Sequence, residues 1–298
     1  MNPMIDIHAD DYAVSVHASA DILTLLQAGK LTSISVIPNM TCYQQCLKML
    51  IAQPVRPLLS VHLNFMEGHC CSPQERVPEL VDNNGYFKVS WGSLLKTSYL
   101  GKTSKNLKEQ LKIEIQYQIE CVREAQRLLL MPDILRIDSH QHTHMIPIVF
   151  QALLEVIEEQ QYEVSFIRVA REPLTPFLRH AGLYPTYSVL NLIKNLILQI
   201  YAVRVNRELC KRQIKPTLLW GLMMSGHMDI DRMRILYPDM TAFCHKRGKS
   251  IEILFHPGTS LPEEITKEYV KEGFVKDHLA EGRQIEYRAV MQMEELVC

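Results

Sequence analysis

Two hydrophobic rhythms alternate along this chain. Short runs rich in aliphatic and β-branched residues predict strands at Met4–Ala9, Ser33–Ile37, Leu58–Leu63, Ile134–Asp138, Ser165–Ala170, Thr217–Met223 and Ile251–Phe255. Between them, apolar positions recur every three or four residues. Val16–Ala28 carries Val16, Ala20, Leu23 and Leu26 on one stripe and is closed by Gly29. Thr41 caps Cys42–Ala52, which ends before Pro54. Ser104–Leu130, Ile146–Gln161, Ser188–Val205 and Asp231–Arg247 read as further helices, the last broken near Pro238, with a short helix at Pro173–His180. The tail holds helical pieces and one candidate strand, Gln284–Val290.

Strands alternating with helices over this length predict a parallel α/β architecture. The expected fold is (β/α) barrel-like, irregular or incomplete, with seven or eight strands; a doubly wound open sheet is the second choice. No repeat of 20 to 50 residues is evident. Asn64–Thr103 interrupts the rhythm with Gly68, two prolines, a turn at Asp82–Gly85 and Trp91-Gly92. So long a connection is more often functional than filler. The expectation is one catalytic domain, 1–298, with 64–103 as an insertion forming a lid or substrate wall.

Composition narrows the choice. With 298 residues, 47% of them hydrophobic and 22% charged, the chain is ordinary globular protein with a large core. A net charge of -1 argues against a nucleic-acid partner. No run of ~18 apolar residues and no secretory signal is visible, so no membrane span and a cytoplasmic location are expected. The eight cysteines form no C-x-x-C pair and read as reduced, mostly buried thiols. Dinucleotide and P-loop glycine motifs are missing. Ser188–Val205 is more apolar than its neighbours and runs into Arg204, Arg207, Lys211, Arg212 and Lys215. A core helix with a solvated end is the simplest reading; a subunit interface, and hence a homodimer, or an anionic surface contact are the alternatives.

The chemistry gathers at IDSHQHTHMIP, residues Ile137–Pro147, where an aspartate and His140, His142 and His144 sit at a strand-to-helix junction. Imidazole is the commonest side-chain metal ligand. The other polar residues fall in matching places. Asp10 and Asp11 follow the first strand and His62 ends the third. Arg168 lies in the fifth, while His227 and His256 follow the sixth and seventh. In a parallel barrel all these ends open on one face. One carboxylate and two imidazoles from separate strands can hold a divalent cation and leave positions for water and substrate. A second carboxylate beside them can take a proton.

His8–Tyr12 (HADDY), Val61–Asn64 (VHLN), Ile137–Met145 (IDSHQHTHM) and His256–Gly258 (HPG) resemble, in this order, the motifs of the YdjC-like carbohydrate deacetylases, the group containing chitooligosaccharide deacetylase. Thr32–Asn39 resembles the family's second-strand region, and the likeness runs over residues 4–258. It implies a barrel-like fold and metal-dependent removal of acetyl groups from N-acetylated sugars or short oligosaccharides. It also implies metal ligands Asp11, His62 and His140, a general base at Asp10 and a candidate general acid at His256. His142, His144, Arg168 and His227 are expected to contact a small carbohydrate substrate or to support the site. Magnesium or zinc fits best as the single divalent metal; cobalt or manganese also fits. Two departures stand out: His8 replaces the family's Asn, and Tyr12-Ala13 replaces Phe-Gly. The second bears on the loop backbone, since alanine tolerates positive φ poorly. A metal-dependent phosphoesterase or other metallohydrolase, an iron(II) oxygenase and a non-catalytic sugar-binding relative are the competing readings.

Overall fold

The computed structural model describes residues 5–266 and 272–297. Its strands are β1 (Ile5–Tyr12), β2 (Ser33–Val36), β3 (Leu58–Leu63), β4 (Leu135–Ser139), β5 (Val164–Ile167), β6 (Leu218–Trp220) and β7 (Ile251–Phe255). The helices are α1 (Val16–Gln27), α2 (Tyr43–Ile51), α3 (Trp91–Thr97), α4 (Lys102–Leu128), α5 (Pro147–Glu159), α6 (Thr175–Arg179), α7 (Val189–Lys211), α8 (Ile230–Lys246), α9 (Glu272–His278), α10 (Glu281–Met291) and α11 (Glu294–Val297).

The strands form one sheet, all pairs parallel, in the order β5-β4-β3-β2-β1-β7-β6. Chain neighbours lie side by side except β5 and β6, which form the two edges, and β7 returns to β1. This is the cyclic order of a barrel, not the reversed order of a doubly wound sheet. The sheet curls into a half-barrel with helices on both sides. A backbone hydrogen bond from Leu219 N–H to the Arg171 carbonyl, 3.1 Å, spans the gap between the two edge strands.

Strands covered on both faces read as almost continuous apolar runs, and β7 is buried at every position. Its Glu252 faces a polar interior shared with His8, Ser33, Ser35, Asp138 and Arg168, all fully buried. Apolar helix faces close the outside. α5 buries nine side chains, and α4 presents Leu107, Leu111, Ile115, Ile119 and Val122 inward at helical spacing.

Some local expectations change. α8 runs through Pro238 without a break, and α7 continues six residues past Val205 to Lys211. Gln284–Val290 is helical, within α10: Arg283, Glu286, Ala289 and Val290 share its buried face at spacings of three and four, which an alternating strand could not bury together. Segment 64–103 packs Phe65, Leu80, Phe87 and Leu94 into the core, and Glu114 of α4 accepts hydrogen bonds from the backbone N–H groups of Cys71 and Ser72 at 2.9 and 3.0 Å. The described cysteines are all free; Cys46 and Cys244 are buried, Cys210 is exposed and the rest lie between. No helix of the described residues is long and apolar enough to cross a membrane.

Candidate active site

The end of β1 does not run straight. Pairing with β2 shifts register between Ala9 and Tyr12, and Asp11 takes a φ of 67°. Successive residues of a regular strand point to opposite faces. The irregularity here lets both Asp10 and Asp11 face the mouth of the barrel, where they are 2% and 1% exposed. Ala13 follows with a φ of 71°, the position where the resemblance expects glycine.

Two imidazoles meet Asp11. His62, from β3, places Nε2 3.4 Å from Asp11 Oδ1, and His140, just beyond β4, places Nδ1 3.1 Å from the same oxygen. The three donor atoms lie within 4.8 Å of one another. The turn carrying His140 is strained, with Gln141 and His142 at φ of 54° and 56°. Each ligand candidate is held from behind. Asp138 Oδ1 sits 2.6 Å from His62 Nδ1, which turns Nε2 toward Asp11. Arg283 donates to Asp11 Oδ2 at 2.6 Å, leaving Oδ1 to the histidines.

Asp10 is gripped by a guanidinium fork. Arg168 Nη1 and Nη2 donate to its two oxygens at 2.8 Å each, while Arg168 also reaches Glu252 at 2.7 Å and Asp138 at 3.2 Å. Burial alone would raise the Asp10 carboxyl, but Arg168, then His62 and His8, hold it well below the usual carboxylate range. Asp11 is likewise held low against burial, by Arg283 and His140. Burial works against a charged His62, yet Asp10 and Asp138 push its pKa up to about 10. For His256, burial is again outweighed, and Glu286 raises it above its ordinary value. Glu286 accepts hydrogen bonds from the backbone N–H groups of His256 and Gly226 at 2.5 and 2.6 Å. It thereby ties together the loops after β6 and β7.

A cavity of about 360 Å³ opens over these groups, lined among others by Asp10, Asp11, His62, His140, His142 and His256. The first turns of α7 contribute Asn191 and Lys194 to its wall. His142 is neutral there, pushed well below its ordinary value by burial and by Lys194 and Arg168. Three other expected site residues lie apart. Arg168 is fully buried beneath the carboxylates. His144 is sealed between Ser139 Oγ and the Arg168 carbonyl at 2.6 and 2.8 Å, and burial lowers it to about 4. His227 is exposed and its carbonyl accepts from Arg232. Arg171 reaches Gln199 rather than the cavity. Sequence reasoning missed Arg283 and Glu286. Their spacing of three, one turn of a helix, was the available signal.

The donor set suits a divalent cation. Asp10, Asp11, Asp138 and Glu252 are linked by contact to two guanidiniums, Arg168 and Arg283, so the carboxylates outnumber the guanidiniums by two where the imidazoles meet them. A carboxylate with two imidazoles suits zinc, and with open positions also other divalent ions. A second donor group, Glu67, His140 and His278, shares His140, with His278 Nε2 3.2 Å from Glu67 Oε2.

Comparison with known proteins follows the same lines. The family described as YdjC-like protein matches residues 4–295. The carbohydrate deacetylase of Geobacillus stearothermophilus is 26% identical over 170 residues, covering 57% of this chain and 62% of that protein. That of Homo sapiens is 26% identical over 167 residues, covering 56% of this chain and 48% of that protein. These two alignments thus span less than two thirds of the relatives' length. The carbohydrate deacetylase of Clostridium beijerinckii is 22% identical over 257 residues, covering 83% of this chain and 89% of that protein. A solved structure from Enterococcus faecalis, described as a cellobiose-phosphate cleavage protein, superposes with a TM-score of 0.66 at 18% identity, covering 100% of this chain and 94% of that one. That likeness speaks for the fold.

Proposed function

The chain belongs to the YdjC-like protein family, and from that premise we propose that it is a divalent-metal-dependent hydrolase that removes acetyl groups from N-acetylated sugars or short oligosaccharides. The observation that carries the reading is the meeting of Asp11, His62 and His140 within 4.8 Å, beside the buried carboxylate of Asp10. The relatives named carbohydrate deacetylase support the substrate class.

Asp11, His62 and His140 would hold the cation. When bound there, a divalent cation polarises a substrate oxygen and acidifies water. Magnesium, zinc, cobalt and manganese all suit the donors. The chain's own groups do the rest. Asp10, kept ionised and aimed by the Arg168 fork, takes the proton of the attacking water. The water oxygen bonds to the acetamide carbonyl carbon, and the carbon–nitrogen bond then breaks. His256, kept protonated by Glu286, gives its proton to the departing amine. Acetate and a free amino sugar leave. Arg283 fixes Asp11, and His142 offers a neutral imidazole to the substrate from the cavity wall. A cavity of about 360 Å³ has room for one or two sugar rings.

The test is acetate release from N-acetylated mono- and oligosaccharides, after chelation and after return of each metal in turn. Acetate that disappears with chelator and returns with metal is expected. No acetate from any member of a broad panel at saturating metal would remove the reading. A phosphoesterase or iron(II) oxygenase would show instead in phosphate release or oxygen uptake.

A further inference from the structure

One wall of the cavity is pinned by a carboxylate that the chemistry above does not use. Glu172, a few residues after β5, is fully buried. Gly221, Leu222 and Met223, the three residues that follow β6, all point their backbone N–H groups at it. Gly221 and Leu222 donate to Oε1 at 2.6 and 3.1 Å, and Met223 donates to Oε2 at 2.7 Å. Asn195 of α7, also fully buried, donates to Oε2 at 3.2 Å. Successive N–H groups that converge in this way form an anion-binding concavity; here the chain fills it with its own side chain. The backbone has no slack on its other face. Gly221 sits at a φ of 145°, and a Cβ there would meet the Leu254 carbonyl oxygen of β7 at 2.5 Å. At the far end of the same loop the Gly226 N–H donates to Glu286. Loop 221–226 is thus held at both ends by buried carboxylates, and its Gly221, Leu222, Ser225 and Gly226 line the cavity.

We propose that Glu172 is a positioning residue for the substrate: it clamps loop 221–226 to the start of α7 and so sets the width of the cavity that receives the sugar. Glu172 is not itself part of the cavity wall, so it acts through the loop and through Asn195, next to the wall residue Lys194. The sugar in this proposal rests on the deacetylase reading; the clamp does not. The clamp also responds to protons. Burial raises the Glu172 carboxyl to about 7, against the pull of the three backbone N–H groups. Tyr187, from the segment before α7, faces it as a neutral phenol that burial raises to about 12. α7 presents the amides of Asn195 and Gln199, and the loop after β6 presents backbone N–H groups. When the loop opens, the carboxyl meets water and returns toward its ordinary value of 4.5. Between 4.5 and about 7 the clamped loop therefore holds a proton that the open loop releases. Opening becomes easier as pH rises through that window, by roughly tenfold per unit, and levels off above it.

Hydrogen–deuterium exchange on the full chain, read at single amides and corrected for the intrinsic rate, tests the clamp without any substrate. At Gly221, Leu222 and Met223 the opening constant is expected to rise roughly tenfold per pH unit up to about 7 and then to level off, and to lose that slope in Glu172→Gln. A flat wild-type profile overturns the proposal, as does a slope that survives in the variant. Should Glu172→Gln fail to fold, the wild-type profile still decides. Turnover gives the second reading. Glu172→Ala strips three buried N–H groups of their acceptor, and is expected to raise KM for an N-acetylated sugar by ~10-fold while kcat stays within ~3-fold. An unchanged KM, or a loss confined to kcat, overturns the positioning role. No acetate from the wild type removes the deacetylase reading instead, and exchange alone then decides the clamp.

Discussion

His256 stands between two carboxyl groups, with Nδ1 3.6 Å from Glu286 and Nε2 3.9 Å from Asp10. Burial would lower its pKa, but Glu286 and the aspartates raise it. A group that acts as an acid works while it keeps its proton, so turnover should fall as pH rises through the His256 pKa. Glu286→Gln removes the nearest negative charge and lowers that pKa. The alkaline limb of kcat should therefore move to lower pH while the acid limb stays, with a loss no larger than the ~10²–10⁴-fold that general acid catalysis is worth. A pH profile of the variant that overlays the wild type would take His256 out of that role. At this scale the motif residues Asp10, Asp11, His62, His140 and His256 could be read from the sequence, because strand ends place them on one face. Arg283 and Glu286 carried only their helical spacing of three as a signal, since their partners lie 272 and 30 residues away. Arg168 was legible as a charged residue in a strand but not as the buried fork beneath Asp10. A strand covered on both faces does not announce which side is the barrel interior.

The junction between β1 and α1 stores strain. Asp11 and Ala13 both lie in the left-handed region, and Ala13 is fully buried. For an L-residue that conformation costs roughly 1–2 kcal/mol, and glycine removes the cost while giving up roughly 0.5–1 kcal/mol of chain entropy. Ala13→Gly should leave the fold intact and change stability by between zero and about +1 kcal/mol. Thermal denaturation checks this, and a loss of stability would mean that the turn is not strained at Ala13. Most strands and helices were legible from their periods within a few residues. Ser165–Ala170 became β5, Val164–Ile167: Arg168 still donates its backbone N–H to the Ile137 carbonyl of β4 at 3.0 Å, and Arg171 turns to accept from Leu219 of β6. The α10 helix was misread as a strand candidate. Its apolar residues are few, and the face it buries is carried partly by Arg283 and Glu286, whose charge hides the helical period.

Over the whole molecule, the strand order closes β7 onto β1 and brings β1, β3 and β4 together, so residues 11, 62 and 140 converge without a shared motif. The barrel class was legible from the alternation of elements. Its seven strands were legible too, while the bridge between Arg171 and Leu219 depends on packing that no local pattern encodes. The account rests on one cation held by Asp11, His62 and His140. X-ray data collected at the manganese absorption edge, from crystals grown with manganese, test it most directly. The expected result is one anomalous peak about 2.0–2.3 Å from an Asp11 oxygen, a His62 nitrogen and a His140 nitrogen together. A peak between Glu67 and His278 alone, or no peak inside the barrel mouth at saturating manganese, would contradict it.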